Sequence, residues 1–153
     1  GRVFESDEKA KYVNSPETPI YNKSRILYGI HESKQEIRNN NSVIVVEGYF
    51  DFLQLFQSGI KNCVAVSGTA FTEQHALQLK RNCNKAYIAY DGDTAGKAAA
   101  IRAGYVLLKA SMSINIIEIP DGLSSSEGLQ RGDPGLNDKY DSAVELVKQL
   151  SER

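Results

Sequence analysis

Cysteine is scarce in this chain: of 153 residues only Cys63 and Cys83 carry a thiol. They lack CxxC spacing, and two are too few for a zinc centre or a disulfide framework. Both are therefore expected as buried thiols in a reducing compartment. Long hydrophobic runs are also missing. The longest aliphatic stretch, Val43-Ile44-Val45-Val46, falls far short of the roughly 20 residues that span a bilayer. The opening Gly1-Arg2-Val3-Phe4-Glu5 has no signal-peptide core. No membrane partner is expected, and the chain reads as soluble and cytoplasmic. Charge of one sign is not in excess either, since 18 Lys and Arg face 19 Asp and Glu for a net −1. Global basicity thus gives no pointer to nucleic acid. Internal repeats are absent. What remains, 41% apolar and 24% charged residues, excludes disordered, collagen-like and coiled-coil classes. The length suits one compact domain with a modest appendage.

Four short apolar runs recur: Val43 to Val46, Cys63 to Val66, Ala86 to Tyr90 and Ile114 to Ile119. Being near-continuously apolar rather than alternating, they fit strands covered on both faces. Helical periodicity fills the intervals. Tyr49, Phe52, Leu53 and Phe56 follow i, i+3, i+4, i+7, and Gly59 is placed to end that helix in the left-handed conformation. Thr72 is placed to cap a helix with Glu73 in its first turn and Ala76, Leu77 and Leu79 on its apolar side. A third helix begins near Thr94, with Ala98, Ile101, Tyr105 and Leu108 on one face. The β-α-β-α-β-α-β order predicts an α/β fold with a mainly parallel four-stranded sheet flanked by helices and right-handed crossovers. Residues 1–41 are polar, with a turn cluster at Asn14 to Pro19 and a short helix expected around Ser24 to Ile30. They read as an appendage to a 42–122 domain. Residues 123–153 read as a loop and a terminal helix, with a Ser142/Glu145 capping box and an Ala143, Leu146, Val147 and Leu150 stripe.

Ligands of open α/β sheets bind beyond the carboxyl ends of the strands. Acidic residues cluster there. Glu47 follows the first run with Asp51 four residues on, and Asp91 and Asp93 flank Gly92 after the third. An Asp-Gly-Asp step supplies the hard oxygen ligands that Mg²⁺ prefers and leaves positions for water or phosphate. Asp51, Asp91 and Asp93 equally suit helix capping. A carboxylate ending an aliphatic strand, as Glu47 does, has little structural purpose, so the set together points to a divalent metal site.

These segments resemble a known family. Val45-Val46-Glu47-Gly48-Tyr49-Phe50-Asp51 and Tyr90-Asp91-Gly92-Asp93-Thr94-Ala95-Gly96-Lys97-Ala98-Ala99, with Ser67-Gly68-Thr69-Ala70-Phe71-Thr72 between them, resemble the signature segments of the Toprim domain in DnaG-type bacterial DNA primases. Residues 11–23, KYVNSPETPIYNK, resemble the primase segment just before it. The likeness spans about residues 1–122, making 1–41 the end of the polymerase core's N-terminal subdomain and 42–122 the Toprim domain. It implies synthesis of short RNA primers on a single-stranded DNA template from ribonucleoside triphosphates, with Mg²⁺ or Mn²⁺ as cofactor. Carried over by position, Asp91 and Asp93 hold the metal. Glu47 is a ligand or proton acceptor near the attacking 3′-hydroxyl, and Asp51 supports the cluster. Asn14 and Lys23 are implied to lie near nucleotide and template, and Lys97 joins them as a candidate nucleic-acid contact. A replicative helicase is an implied partner through regions this chain does not include.

Two departures stand out. The longer DxDxD run of Toprim topoisomerases and nucleases is absent, Asp93 being followed by Thr94-Ala95. Where the primase family has an acidic DPD-like step after Pro-Asp-Gly, this chain has Ser124-Ser125-Ser126, with Asp121, Glu127 and Asp133 nearby. Hydroxyls are far weaker Mg²⁺ ligands than carboxylates, so weak metal binding and a mobile 121–135 loop are expected. With no zinc module or helicase-binding region in it, the chain reads as an excised core fragment or a stand-alone relative, weakly active or inactive alone. The competing readings are a small Toprim nuclease and a catalytically silent nucleic-acid or nucleotide-binding module. His31 and His75 are assigned surface or capping roles, Ser67 is not a nucleophile, and Lys80, Arg81 and Lys85 form a solvated face.

Overall fold

A computed structural model of the chain describes residues 16, 18 and 21–117. Asn14, the serine step, Asp121, Glu127, Asp133, the 121–135 loop and the terminal helix lie outside the described residues. The elements run α1 (Ile30–Asn40), β1 (Ser42–Val46), α2 (Tyr49–Gln57), β2 (Cys63–Ala65), α3 (Glu73–Lys80), β3 (Lys85–Ile88), α4 (Thr94–Lys109) and β4 (Ser113–Ile116). The strands form one sheet in the order β2-β1-β3-β4. All pairings are parallel: Val45 sits against Val64 on one side and Ile88 on the other, and Ile88 against Ile116. The expected α/β sheet is therefore present, and all-parallel.

Strand pleating sorts the aliphatic residues. Val43, Val45, Val64, Val66, Ala86 and Ile88 face one layer with Ile37, Ala76, Leu79, Ala103 and Leu107. Ile44, Val46, Cys63, Ala65 and Tyr87 face Phe52 and Leu55 in the other. Both faces of β1, β2 and β3 are covered, which is why those sequences do not alternate; β4, at the edge of the sheet, departs from the expectation, with Ser113, Asn115 and Ile116 exposed. Cys63 and Cys83 are free and buried, and burial raises the thiols to about 12 and about 11.

Three expectations on the helices change. The short helix around Ser24 to Ile30 is a turn; the helix there is α1, beginning after Gly29 and burying Ser33 and Ile37. IHESKQEIRNN carries only two apolar residues, too few to show a period. Gly29 has φ +79°, and a Cβ on it would lie 2.0 Å from the Phe52 ring. In α4 the buried face is Gly96, Ala100, Ala103, Gly104 and Leu107, whereas Ile101, Tyr105 and Leu108 are exposed. The helix lies so close to the sheet that a Cβ on Gly104 would come within 3.0 Å of Ile114 Cδ1. Small residues make that approach possible, and the large ones turn outward. Leu53 and Leu77 are likewise exposed, with Leu55 taking the place expected of Leu53. The expected ends hold: Gly59 has φ +94°, and Thr72 caps α3 by accepting from the His75 amide at 3.2 Å.

Before α1, Tyr28 makes an antiparallel bridge to Ala65, its N–H donating to the Ala65 carbonyl at 2.9 Å and its carbonyl accepting from the Ala65 N–H at 3.1 Å. That bridge seats Tyr28 against the open edge of β2.

Candidate active site

β1 and β3 are neighbours, and the chain leaves β1 for β2 on one side and takes up β3 on the other. That reversal opens a crevice beyond their carboxyl ends. Glu47 emerges into it from β1, and Asp91 emerges from the end of β3. Three carboxylates bear on Glu47: after burial, Asp91, Asp51 and Asp93 in that order raise it from 4.5 to about 7, against a lowering hydrogen bond from the Asp91 backbone. Coulombic coupling of that kind acts over a few ångströms. Glu47, Asp51, Asp91 and Asp93 thus gather at one sheet edge. Glu47 Oε1 is buried and has no hydrogen-bond partner among the described residues.

Two of the aspartates also cap helices. Asp51 Oδ2 accepts from the Gly48 N–H at 2.8 Å, closing the turn into α2. Asp93 is the N-cap of α4, its Oδ1 accepting from the Gly96 N–H at 2.7 Å. Gly96 is required there: a Cβ on it would stand 2.2 Å from the Asp91 carbonyl oxygen. The glycine lets the first turn of α4 press against the Asp91 backbone and so sets where both aspartates emerge.

Would these residues suit a divalent cation? The set is all oxygen and all carboxylate, as Mg²⁺ and Mn²⁺ prefer, and one buried Glu47 oxygen lacks a partner. The chemistry fits. Among the described residues no three His, Cys, Asp or Glu form a ready-made ion cage, so the set is a partial one.

Two cavities flank the edge. One of about 490 Å³ is lined by Glu47, Phe71, Tyr90, Arg102 and Val106, among others. The other, about 250 Å³, is lined by Tyr21, Lys23, Ile26, Tyr28, Tyr49 and Ser67. Lys23 therefore stands at the site's flank, in a wall with three tyrosines. Lys97 is exposed on α4, its N–H donating to the Asp93 carbonyl at 2.9 Å. Lys80 and Lys85 are not merely solvated: Lys80 Nζ donates to Asn84 Oδ1 and the Ser111 carbonyl, both at 2.8 Å, and Lys85 Nζ stands 4.6 Å over the Tyr87 ring.

Sequence reasoning set Ser67 aside as a nucleophile, gave His75 a surface or capping role only, and assigned nothing to Tyr90. Ser67 adopts φ +60° directly before Gly68 at +75°, and its N–H donates to the Glu47 carbonyl at 2.8 Å. The Ser-Gly pair was the available signal. Tyr90 is buried with its hydroxyl unpartnered among the described residues. His75 is fully buried in its capping role, whereas His31 is exposed.

The family described as "Toprim domain" matches residues 41–118, and "DNA primase catalytic core, N-terminal domain" matches residues 1–34. A DNA primase of Listeria monocytogenes is 39% identical over 135 residues, 88% of this chain and 22% of that protein. The chain thus spans between a fifth and a third of the length of the curated relatives it matches. The crystal structure of the Aquifex aeolicus primase zinc-binding and RNA polymerase domains superposes with a TM-score of 0.82 at 35% identity, covering 99% of this chain and 35% of that one. A DnaG primase catalytic domain bound to single-stranded DNA gives 0.69 at 36% identity, covering 93% and 47%. With its carboxylate edge and both primase segments in place, the chain belongs to the Toprim family, in the branch carried by DnaG-type DNA primases.

Proposed function

We propose that the protein carrying this chain synthesises short RNA primers on single-stranded DNA by nucleotidyl transfer, and that Glu47, Asp91 and Asp93 are its acidic centre, with Asp51 in support. The observation that carries this is the buried, unpartnered Glu47 oxygen hemmed in by three other carboxylates at the sheet's switch point. Phosphoryl transfer needs alignment and charge neutralisation more than a covalent nucleophile. Glu47, Asp91 and Asp93 would hold Mg²⁺ or Mn²⁺, and such an ion supplies neutralisation of the charge that builds on the transferring phosphoryl group.

The chain's own groups do the rest. Glu47, held high by burial and then by its acidic neighbours, takes up the proton of the attacking 3′-hydroxyl. Asp51 and Asp93 fix the two turns through their caps, so the carboxylates are preorganised. Lys23, and outside the described residues Asn14, serve nucleotide and template, with Lys97 a further backbone contact. Residues 1–41 act as the end of the polymerase core's N-terminal subdomain and 42–122 as the Toprim domain. A replicative helicase is the partner expected for the whole protein, which acts in the cytoplasm; among the described residues no helix is long and apolar enough to cross a membrane. The relatives matched are primases, which does not favour the nuclease or silent-binder readings.

The test is incubation of the full-length protein with labelled single-stranded template, ribonucleotides and Mn²⁺. Extension products that vanish in Asp91→Asn support the reading; cutting of the template, or retention without product, refutes it.

A further inference from the structure

The segment that carries Lys23 is tied to the sheet by two side chains at the start of α3. His75 is 0% exposed. Its Nε2 lies 3.0 Å from the Lys23 carbonyl, and its Nδ1 accepts from the Thr72 N–H at 3.2 Å. A carbonyl can only accept and an amide N–H can only donate, so the partners fix the tautomer: the proton is on Nε2 and the ring is neutral. Thr72 adds a second tie, its hydroxyl donating to the Ser24 carbonyl at 2.6 Å. Two residues before Ser24, Asn22 Oδ1 accepts from the Ser24 N–H at 3.0 Å and from the Ser24 hydroxyl at 2.5 Å. Phe71 closes the ring edge-on at 5.5 Å. Consecutive carbonyls of the segment are thus held from one helix start.

We infer that His75, with Thr72, is a positioning residue for the proposed reaction: it fixes the main chain of Lys23 and so aims that side chain along the wall it shares with Ser67, beside the carboxylate edge. Capping alone does not account for the arrangement. Thr72 already caps α3 through its own hydroxyl, and burying an imidazole carries a desolvation cost unless both nitrogens are satisfied. The second nitrogen is satisfied by the Lys23 backbone, 52 residues away in sequence. The wall is continuous with the site, since Ser67 donates to the Glu47 carbonyl and lines the same cavity as Lys23.

The inference rests on the primase reading, and a pair of substitutions in the full-length protein tests it. In His75→Asn the side-chain oxygen stands where Nδ1 stood and keeps the Thr72 bond, but nothing reaches Lys23. In His75→Gln the amide nitrogen stands where Nε2 stood and keeps the Lys23 bond. The expected result is that His75→Asn raises the ribonucleotide KM about tenfold with kcat within about twofold, the loss of one charge-assisted contact, and that His75→Gln restores the KM. Amide hydrogen exchange over residues 21–28 should quicken in the Asn variant only. The opposite ranking, with Gln impaired and Asn normal, overturns the inference and leaves a helix cap. If either variant fails to fold, Thr72→Val against Thr72→Ser tests the second tie, and because valine also removes the α3 cap, amide exchange must quicken over residues 21–28 and not only at the start of α3. Only the valine form should raise the KM, and equal KM values in both overturn the inference. Should the parent protein make no primers, the exchange measurement still judges the tether while the functional reading falls by itself.

Discussion

The two acidic turns differ in what their carboxylates already do. In the β3–α4 turn, Asp93 is exposed and its Oδ1 is engaged by the Gly96 amide. In the β1–α2 turn, Asp51 is engaged by Gly48, but Glu47 is left with a buried oxygen that nothing described here satisfies. Capping stabilises a helix by a mechanism that needs no ligand. A half-buried carboxylate with one unsatisfied oxygen among other carboxylates destabilises the fold, and proteins keep such groups where function requires them. Of the two, the β1–α2 turn carries the stronger sign of function, while the β3–α4 turn combines function with architecture.

The largest effect that would break this comparison is catalytic. Glu47→Gln and Asp91→Asn should each lower primer synthesis by about 10²–10³ fold, the scale for removing one preorganised electrostatic group. Nucleotide incorporation on a single-stranded template measures it. A Glu47→Gln protein that retains full activity would show that the orphan carboxylate has no chemical task.

Next in size is architectural. Gly96→Ala places a methyl 2.2 Å from a backbone oxygen, a clash that no flexible side chain can relieve. Stability should drop by about 3 kcal/mol, read from urea denaturation. A loss under about 1 kcal/mol would mean that the α4 turn is free to move away from Asp91.

Glu47 should also leave a signature in stability against pH. Its folded-state value of about 7 stands above the ordinary 4.5. An acid raised in this way is protonated at no disadvantage below about pH 4.5, and folding stability then falls as pH climbs towards 7 and levels above it. A full conversion of the shift would be about 3 kcal/mol. Glu47 keeps partial solvent access, which reduces this to about 1–2 kcal/mol. Glu47→Gln should thus raise the melting temperature at pH 8 and leave it unchanged at pH 4. Equal gains at both would assign the effect to packing.

How much of this was legible beforehand follows from the range of the forces. The sheet could be read because doubly covered strands must be apolar throughout, as Val43 to Val46 are. The gathering of Glu47, Asp51, Asp91 and Asp93 could be read because parallel strands send their carboxyl ends to one edge. What escaped depends on contacts distant in sequence. Helix α1 hides its few apolar residues among charges, and it starts from Gly29, against which the Phe52 ring packs too closely for any side chain. The inner face of α4 is built from glycine and alanine, so a search for large apolar residues finds the outer face, Ile101, Tyr105 and Leu108. The link from His75 to Lys23 joins residues whose separation gives no local pattern.

The smallest effect divides the two roles of Asp93. Asparagine caps helices about as well as aspartate, whereas alanine costs about 1 kcal/mol. Asp93→Asn should therefore unfold within about 0.5 kcal/mol of the parent, the change reflecting only the lost charge at the α4 N-terminus. Asp93→Ala should show the full loss. Metal binding must follow a different order. If Asp93 serves Mn²⁺ as well as α4, both variants lose the rise in melting temperature that the ion gives the parent, because a ligand stabilises in proportion to its affinity for the folded state. If Asp93 only caps, Asp93→Asn keeps the whole of that rise. Melting curves of the three proteins with and without Mn²⁺ separate the outcomes, and a retained rise in the asparagine form would leave Glu47 and Asp91 to hold the ion without it.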